Sequence, residues 1–266
     1  MDQPVALIIF DIDGVVRDVA QSYRRAIADT VEHFTAQQYR PTMTDIDALK
    51  AEGLWNNDWK ASQELIYRHY EGQGRARESV PHGYDAIVDY FQGKYRGQAF
   101  SGYIKDEPLL MSAHYLEQLQ HQQIGWGFFS GATRGSACYV LESRLGINSP
   151  PLVAMEDAPG KPDPQGLFQT VTLIESQLTR LNPSLNHWES VPIFYVGDTA
   201  ADMKTAENAQ QQWRDRPIYG IGVVPPHAWE NERYGPQLLA QGAKAVVQQV
   251  EDITAPFIQH LLASPA

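Results

Sequence analysis

Four apolar runs of strand length constrain this chain more than any other feature. Val5–Phe10, Gly125–Phe129, Val191–Val196 and Ile218–Val224 are apolar or glycine throughout apart from Pro192, and Leu152–Met155 is a shorter fifth. Continuous runs of this kind fit strands covered on both faces, as in the middle of a parallel sheet. Between them, residues 108–122, 134–145, 164–180 and 199–212 show helical spacing. Strands alternating with helices predict an open α/β sheet with right-handed crossovers.

Three of the runs stop at polar or acidic residues: the first at Asp11, the second at Ser130 and the third at Gly197-Asp198. Ligands bind at the C-terminal edge of open parallel sheets. The pattern therefore predicts one crevice holding Asp11, Asp13, Ser130, Gly131 and Asp198. One interval breaks the alternation. Residues 19–100 contain no buried-strand signal, but show helical patterns at 20–38, 44–51, 59–71 and 82–93. The expected organisation is a catalytic core built from 1–18 and 101–266, with an all-helical cap of 19–100 inserted over the strand ends.

With 43% hydrophobic and 20% charged residues, the chain can bury a core without staples. Its single cysteine, Cys138, excludes an internal disulfide and suits a reducing compartment. A net charge of −11 argues against nucleic acid or an anionic membrane as partner. No apolar stretch approaches a membrane span, and Met1–Pro4 lacks the basic start of a secretory signal, so a cytoplasmic location is expected. Oligomeric state is not readable.

The sharpest local signal is Phe10-Asp11-Ile12-Asp13-Gly14. Alternation lets the first and third of these side chains after Phe10 point the same way, and Gly14 permits a tight departure. Val196-Gly197-Asp198-Thr199-Ala200-Ala201-Asp202 places two more carboxylates one helical turn apart. Four carboxylates in one crevice repel unless a cation compensates, and hard oxygen ligands point to Mg²⁺. Ser130-Gly131 can cradle an anion at the start of the 134–145 helix. Lys161, set in Gly160-Lys161-Pro162-Asp163-Pro164, is a rigidly presented ammonium.

Asp11-x-Asp13-Gly14-Val15, Ser130-Gly131, Lys161-Pro162 and Gly197-Asp198-(x)3-Asp202, in that order, resemble the four signature segments of the haloacid dehalogenase superfamily. The long interval between Asp13 and Ser130 is similar to phosphoglycolate phosphatase-like members with a helical cap after the first motif. This resemblance implies a Rossmann-like, three-layer parallel-sheet core and a Mg²⁺-dependent phosphatase. Asp11 would attack phosphorus to form an aspartyl-phosphate, and Asp13 would protonate the leaving oxygen and then activate water. Ser130 would hydrogen-bond the phosphoryl group, and Lys161 would neutralise charge on it and on Asp11. Mg²⁺ would be held by Asp11, the Asp13 backbone carbonyl and Asp198, with Asp202 direct or through water. The implied partner is a small phosphorylated metabolite.

Substrate choice in capped members rests on the cap and the loop after the first motif. The candidates here are Arg17 and Asp18, together with Gly53–Lys60, where Asn57 and Trp59 stand out and Trp55 supplies a second aromatic wall. The long stretch from Lys161 to Asp198, with its loop at 181–192, and the segment Pro225–Gly235 depart from the family pattern. A sugar-phosphate mutase shares all four motifs and is the nearest rival. A non-catalytic phosphometabolite-binding module is a more distant one.

Overall fold

A computed structural model describes residues 4–263 except Gly53, Asn56 and Asn186. The chain divides into two compact units, one of 1–18 with 108–266 and one of 19–107.

The first unit contains a six-stranded parallel sheet. Its strands are β1 (Ala6–Phe10), β2 (Ile124–Phe129), β3 (Leu152–Val153), β4 (Ile193–Gly197), β5 (Ile218–Val223) and β6 (Ala243–Val247), in spatial order β3-β2-β1-β4-β5-β6. Every residue of β1 is buried, as its unbroken apolar run requires. Leu7 and Ile9 face one way, into a core with Leu167, Val171 and Ile174 of a helix at Gln165–Leu181. Phe10 faces the other way, edge-on to Tyr115 in the helix Ala113–His121. Helices on both faces make the three layers of the expected α/β architecture.

Register decides where the strand ends meet. Phe10 lies opposite Phe128 on β2 and Val196 on β4, so Asp11, Ser130 and Asp198 emerge at nearly one level. Strand order reverses between β1 and β4, which is where an open sheet leaves its ligand crevice.

Several expectations change. The sixth strand was not predicted: Ala243–Val247 is half-buried at the sheet edge and lacks a continuous apolar run. The third strand is shorter than Leu152–Met155. The expected helix at 134–145 is α-helical only over Arg134–Cys138, and Tyr139–Arg144 winds as a π-helix with the Leu145 amide reaching back to the Val140 carbonyl. Cys138 is half-buried there, and burial, with Glu142 nearby, pushes its thiol pKa up, the setting of an unreactive cysteine.

The second unit is helical: α1 (Tyr23–Phe34), α2 (Met43–Ala51), α3 (Asp58–Gly72) and α4 (Tyr84–Tyr95). Numbering continues in the first unit with α5 (Ala113–His121), α6 (Arg134–Cys138), α7 (Gln165–Leu181), α8 (Ala200–Gln212), α9 (Tyr234–Ala240) and α10 (Ala255–Ala263). Ala26, Ile27, Val31, Leu65, Ile66, Ile87 and Phe91 are buried in the helical unit, with Tyr23 stacked on Tyr95 at 4.2 Å. The unit runs to Glu107 rather than to residue 100 because Tyr103 donates to Asp29 and Ser22 to Glu107. Those bonds tie residues 101–107 back onto the start of the unit.

Candidate active site

The nucleophile candidate Asp11 leaves β1 buried, 6% exposed. Its Oδ1 accepts the Ile12 amide at 2.7 Å and the Lys161 ammonium at 2.9 Å. Its Oδ2 takes no protein donor among the described residues, so one oxygen is anchored and the other is open. Lys161 reaches the crevice from a turn whose Pro162 carbonyl is held by the Asn208 side chain of α8 at 2.9 Å. Its ammonium also donates to Asp202 Oδ1 at 2.7 Å and lies 5.4 Å from each of the Phe129 and Tyr195 ring centres. An ammonium has three donors, so one remains for a ligand.

Asp198 follows β4, and its backbone carbonyl accepts the Tyr234 hydroxyl at 2.9 Å. Its carboxylate has no protein donor among the described residues. Asp202 lies in the first turn of α8, fully buried, where it closes a capping box with Thr199. Gly197 makes room for it, since a Cβ at that position would stand 2.3 Å from the Asp202 Cβ. Gly14 does the same for Asp198. Its φ is +78°, and a Cβ there would come within 2.1 Å of Asp198 Oδ2.

Carboxylate oxygens of Asp11, Asp198 and Asp202 all lie within 4.8 Å of one another. When all three carboxylates are ionised they exceed the Lys161 ammonium by two negative charges, which suits a divalent cation, and the donors are the hard oxygens that Mg²⁺ takes. The sites therefore fit the metal that the sequence suggests.

Asp13 is not part of that cluster. Its Oδ1 accepts the Arg17 Nε at 2.7 Å, with Arg17 Nη2 at 2.6 Å. Arg17 is wholly buried, so this candidate for substrate contact is committed to Asp13 and the turn after β1. The sequence carried little signal for this, because arginines are usually exposed. Ser130, buried at the end of β2, accepts the Ala132 amide on its hydroxyl at 3.1 Å and keeps its own proton to donate. Gly131 is exposed beside it. The start of α6 is not the long helix terminus expected, and the Arg134 amide is already taken by Glu156 at 2.8 Å. What remains of the expected cradle is Ser130 and Gly131 rather than a helix end.

In the helical unit, Asn57 caps α3, its Oδ1 accepting the Lys60 amide at 3.0 Å, and Trp59 is half-buried within the first turn. Trp55 donates to Glu52 at 2.8 Å. Gly53 and Asn56 of the same stretch lie outside the described residues. Arg68 and Arg77 are paired with Glu52, Glu64 and Glu71.

Burial pushes the Asp11 pKa up to about 7, against the pull of Lys161 and with help from Asp202 and Asp13. Asp198 is raised well above the usual carboxylate range, chiefly by burial and then by Asp202 and Asp11. Burial opposes the charge on Lys161, but Asp11 and Asp202 overcome it and the net shift is upward. For Asp11 the fold binds a proton between roughly pH 4 and 7 that the unfolded chain has released, so the metal-free protein loses stability as pH rises through that window. A cation binds the ionised form. Mg²⁺ at about 100 times its Kd at pH 7.5 is therefore expected to raise Tm by about 5–10 °C at that pH, and the same concentration by little at pH 5, where the protonated site binds more weakly. Thermal unfolding at both pH values checks this, and an increment independent of pH contradicts it.

A family model for haloacid dehalogenase-like hydrolases matches residues 5–210, and the chain belongs to that family. An imidazoleglycerol-phosphate dehydratase from Phytophthora nicotianae is 27% identical over 262 residues, covering 97% of this chain and 51% of that protein. The chain thus spans about half the length of this curated relative. Phosphatase Tt82 from Thermococcus thioreducens shares the fold with a TM-score of 0.62 at 21% identity, over 97% of this chain and 100% of that one. A phosphonoacetaldehyde hydrolase-like protein from Oleispira antarctica has a TM-score of 0.67 at 16% identity, over 97% and 93% of the two chains. None of the helices among the described residues is long and apolar enough to cross a membrane.

Proposed function

We propose that this chain is a Mg²⁺-dependent phosphatase that hydrolyses a small phosphorylated metabolite through an aspartyl-phosphate on Asp11. The observation that carries this reading is the buried Lys161 ammonium, fixed 2.9 Å from Asp11 and 2.7 Å from Asp202, in a cluster where carboxylate oxygens of Asp11, Asp198 and Asp202 lie within 4.8 Å of one another. Phosphoryl transfer asks a protein mainly for positioning and for charge that matches three equatorial oxygens.

Asp11 attacks phosphorus through a carboxylate oxygen as the ester oxygen leaves in line, and Asp13 gives that leaving oxygen its proton. Water then attacks the phosphorus of the aspartyl-phosphate, Asp13 takes a proton from it, and the Asp11–phosphorus bond breaks to release inorganic phosphate. Lys161, the Ser130 hydroxyl and the Gly131 amide hold the non-bridging oxygens. A bound Mg²⁺, held by Asp11 and Asp198 with the Asp13 carbonyl, supplies positive charge that offsets repulsion between carboxylate and phosphate. Arg17 keeps Asp13 ready at the turn. Discrimination between leaving groups is assigned to residues 19–107, with Trp59 and Asn57 as candidates.

The similar Phytophthora protein carries the name of an enzyme acting on imidazoleglycerol phosphate. That supports placing phosphate esters of imidazole-bearing polyols first in a substrate panel, ahead of phosphoglycolate, triose, hexose and nucleotide phosphates. Phosphate release is expected for at least one small metabolite, abolished by EDTA and restored by Mg²⁺. Transfer of phosphate to a second sugar hydroxyl without release identifies a mutase instead. No turnover across the panel leaves a binding protein.

A further inference from the structure

The three clustered carboxylates are not equivalent. An ionised carboxylate offers about four acceptor positions, and Asp202 has filled them. Its Oδ1 accepts the Lys161 ammonium at 2.7 Å and the Tyr195 hydroxyl at 3.0 Å, while its Oδ2 accepts the Thr199 amide at 3.0 Å and the Thr199 hydroxyl. Asp198 and Asp11 Oδ2, by contrast, have no protein donor among the described residues. Proximity gathers three ligands for a cation, but hydrogen bonding leaves only two of them open.

Tyr195 links the parts of this arrangement. It is fully buried on β4, its hydroxyl points at Asp202, and its ring faces the same ammonium that Asp202 holds. Phe129 faces the ammonium from β2. We infer that Asp202 is the seat of Lys161 rather than a ligand of the cation, and that Tyr195 is a positioning residue acting through Asp202. The seat keeps Lys161 aimed when the Asp11 carboxylate, its other partner, becomes an acyl phosphate and loses charge. This rests on the phosphatase reading for its kinetic consequence, but the assignment of the carboxylates does not.

The experiment uses the full chain and Mg²⁺ alone as the first probe. Calorimetric titration is expected to show Mg²⁺ affinity lowered at least about tenfold by Asp198→Asn and changed less than about threefold by Asp202→Asn or Tyr195→Phe. Turnover of p-nitrophenyl phosphate supplies the second readout. Tyr195→Phe keeps both ring contacts and is expected to lower kcat about tenfold with KM within about twofold. In the Asp202→Asn background the same change is expected to cost less than about twofold, because residues that act as a unit are not additive. Loss of Mg²⁺ binding in Asp202→Asn equal to that in Asp198→Asn overturns the inference, as do multiplicative kinetic effects. If Asp202→Asn does not fold, Tyr195→Phe decides alone: unchanged kcat, or weakened Mg²⁺ binding, refutes it. A wild-type protein inert on every phosphomonoester removes the phosphatase reading while the Mg²⁺ titrations still settle which carboxylates bind.

Discussion

Asp11→Asn is expected to lower kcat on any phosphomonoester by at least about ten-thousandfold, since a covalent mechanism has no second route once its nucleophile is gone. The fold is expected to survive. Asparagine keeps an oxygen to accept the Ile12 amide at 2.7 Å and the Lys161 ammonium at 2.9 Å. It also removes one of three crowded carboxylates whose burial pushes Asp11 up to about 7. The metal-free variant should therefore melt at or above the wild-type temperature at pH 7.5. Mg²⁺ should still bind, more weakly, because Asp198 and the neutral side-chain oxygen remain. Kinetics, calorimetry and thermal unfolding on one preparation check all three statements. Substantial residual turnover refutes the nucleophile assignment. Lost turnover with a collapsed Tm shows only that Asp11 is structural.

Much of this site was legible because parallel strands announce themselves. Val5–Phe10 is apolar because both of its faces are covered, and the first residue that can be polar is the one past the sheet edge, Asp11. The same logic placed Ser130 and Asp198, and proline spacing marked Lys161. What the residues did not reveal was direction. The residues left open whether Asp202 meets the cation directly or through water, and the structure turns Asp202 back into a capping box while Asp198 is not so held. Arg17 read as a substrate contact because it sits beside the catalytic turn. It is buried instead, where Asp13 balances its charge. Tyr195 was hidden inside an apolar strand, and its only signal was a polar tip in a run that otherwise has none. The edge strand Ala243–Val247 was missed because half-buried strands carry weaker patterns, and the break in the 134–145 helix has no evident mark in the residues.

Gly14→Ala is expected to separate the shape of the turn after β1 from the acids it carries. Two costs fall on the new methyl group. The first is conformational, since φ of +78° costs an L-residue about 1–2 kcal/mol. The second is steric: the Cβ would come 2.1 Å from Asp198 Oδ2 and 2.5 Å from its Cγ, so the carboxylate must leave its place beside Asp11. That displaced group is one of the two open ligands, so Mg²⁺ affinity should fall at least about tenfold and kcat/KM at least about a hundredfold. Gly74 has the same φ of +78° with nothing within 4 Å of its Cβ. Gly74→Ala pays the conformational cost alone, and should lower Tm slightly while leaving Mg²⁺ affinity and turnover unchanged. If Gly14→Ala matches Gly74→Ala, losing stability but keeping metal and rate, the close approach of the turn to Asp198 has no part in the site. If it loses metal and rate together with only a modest fall in Tm, the glycine is there to let Asp198 stand open beside Asp11.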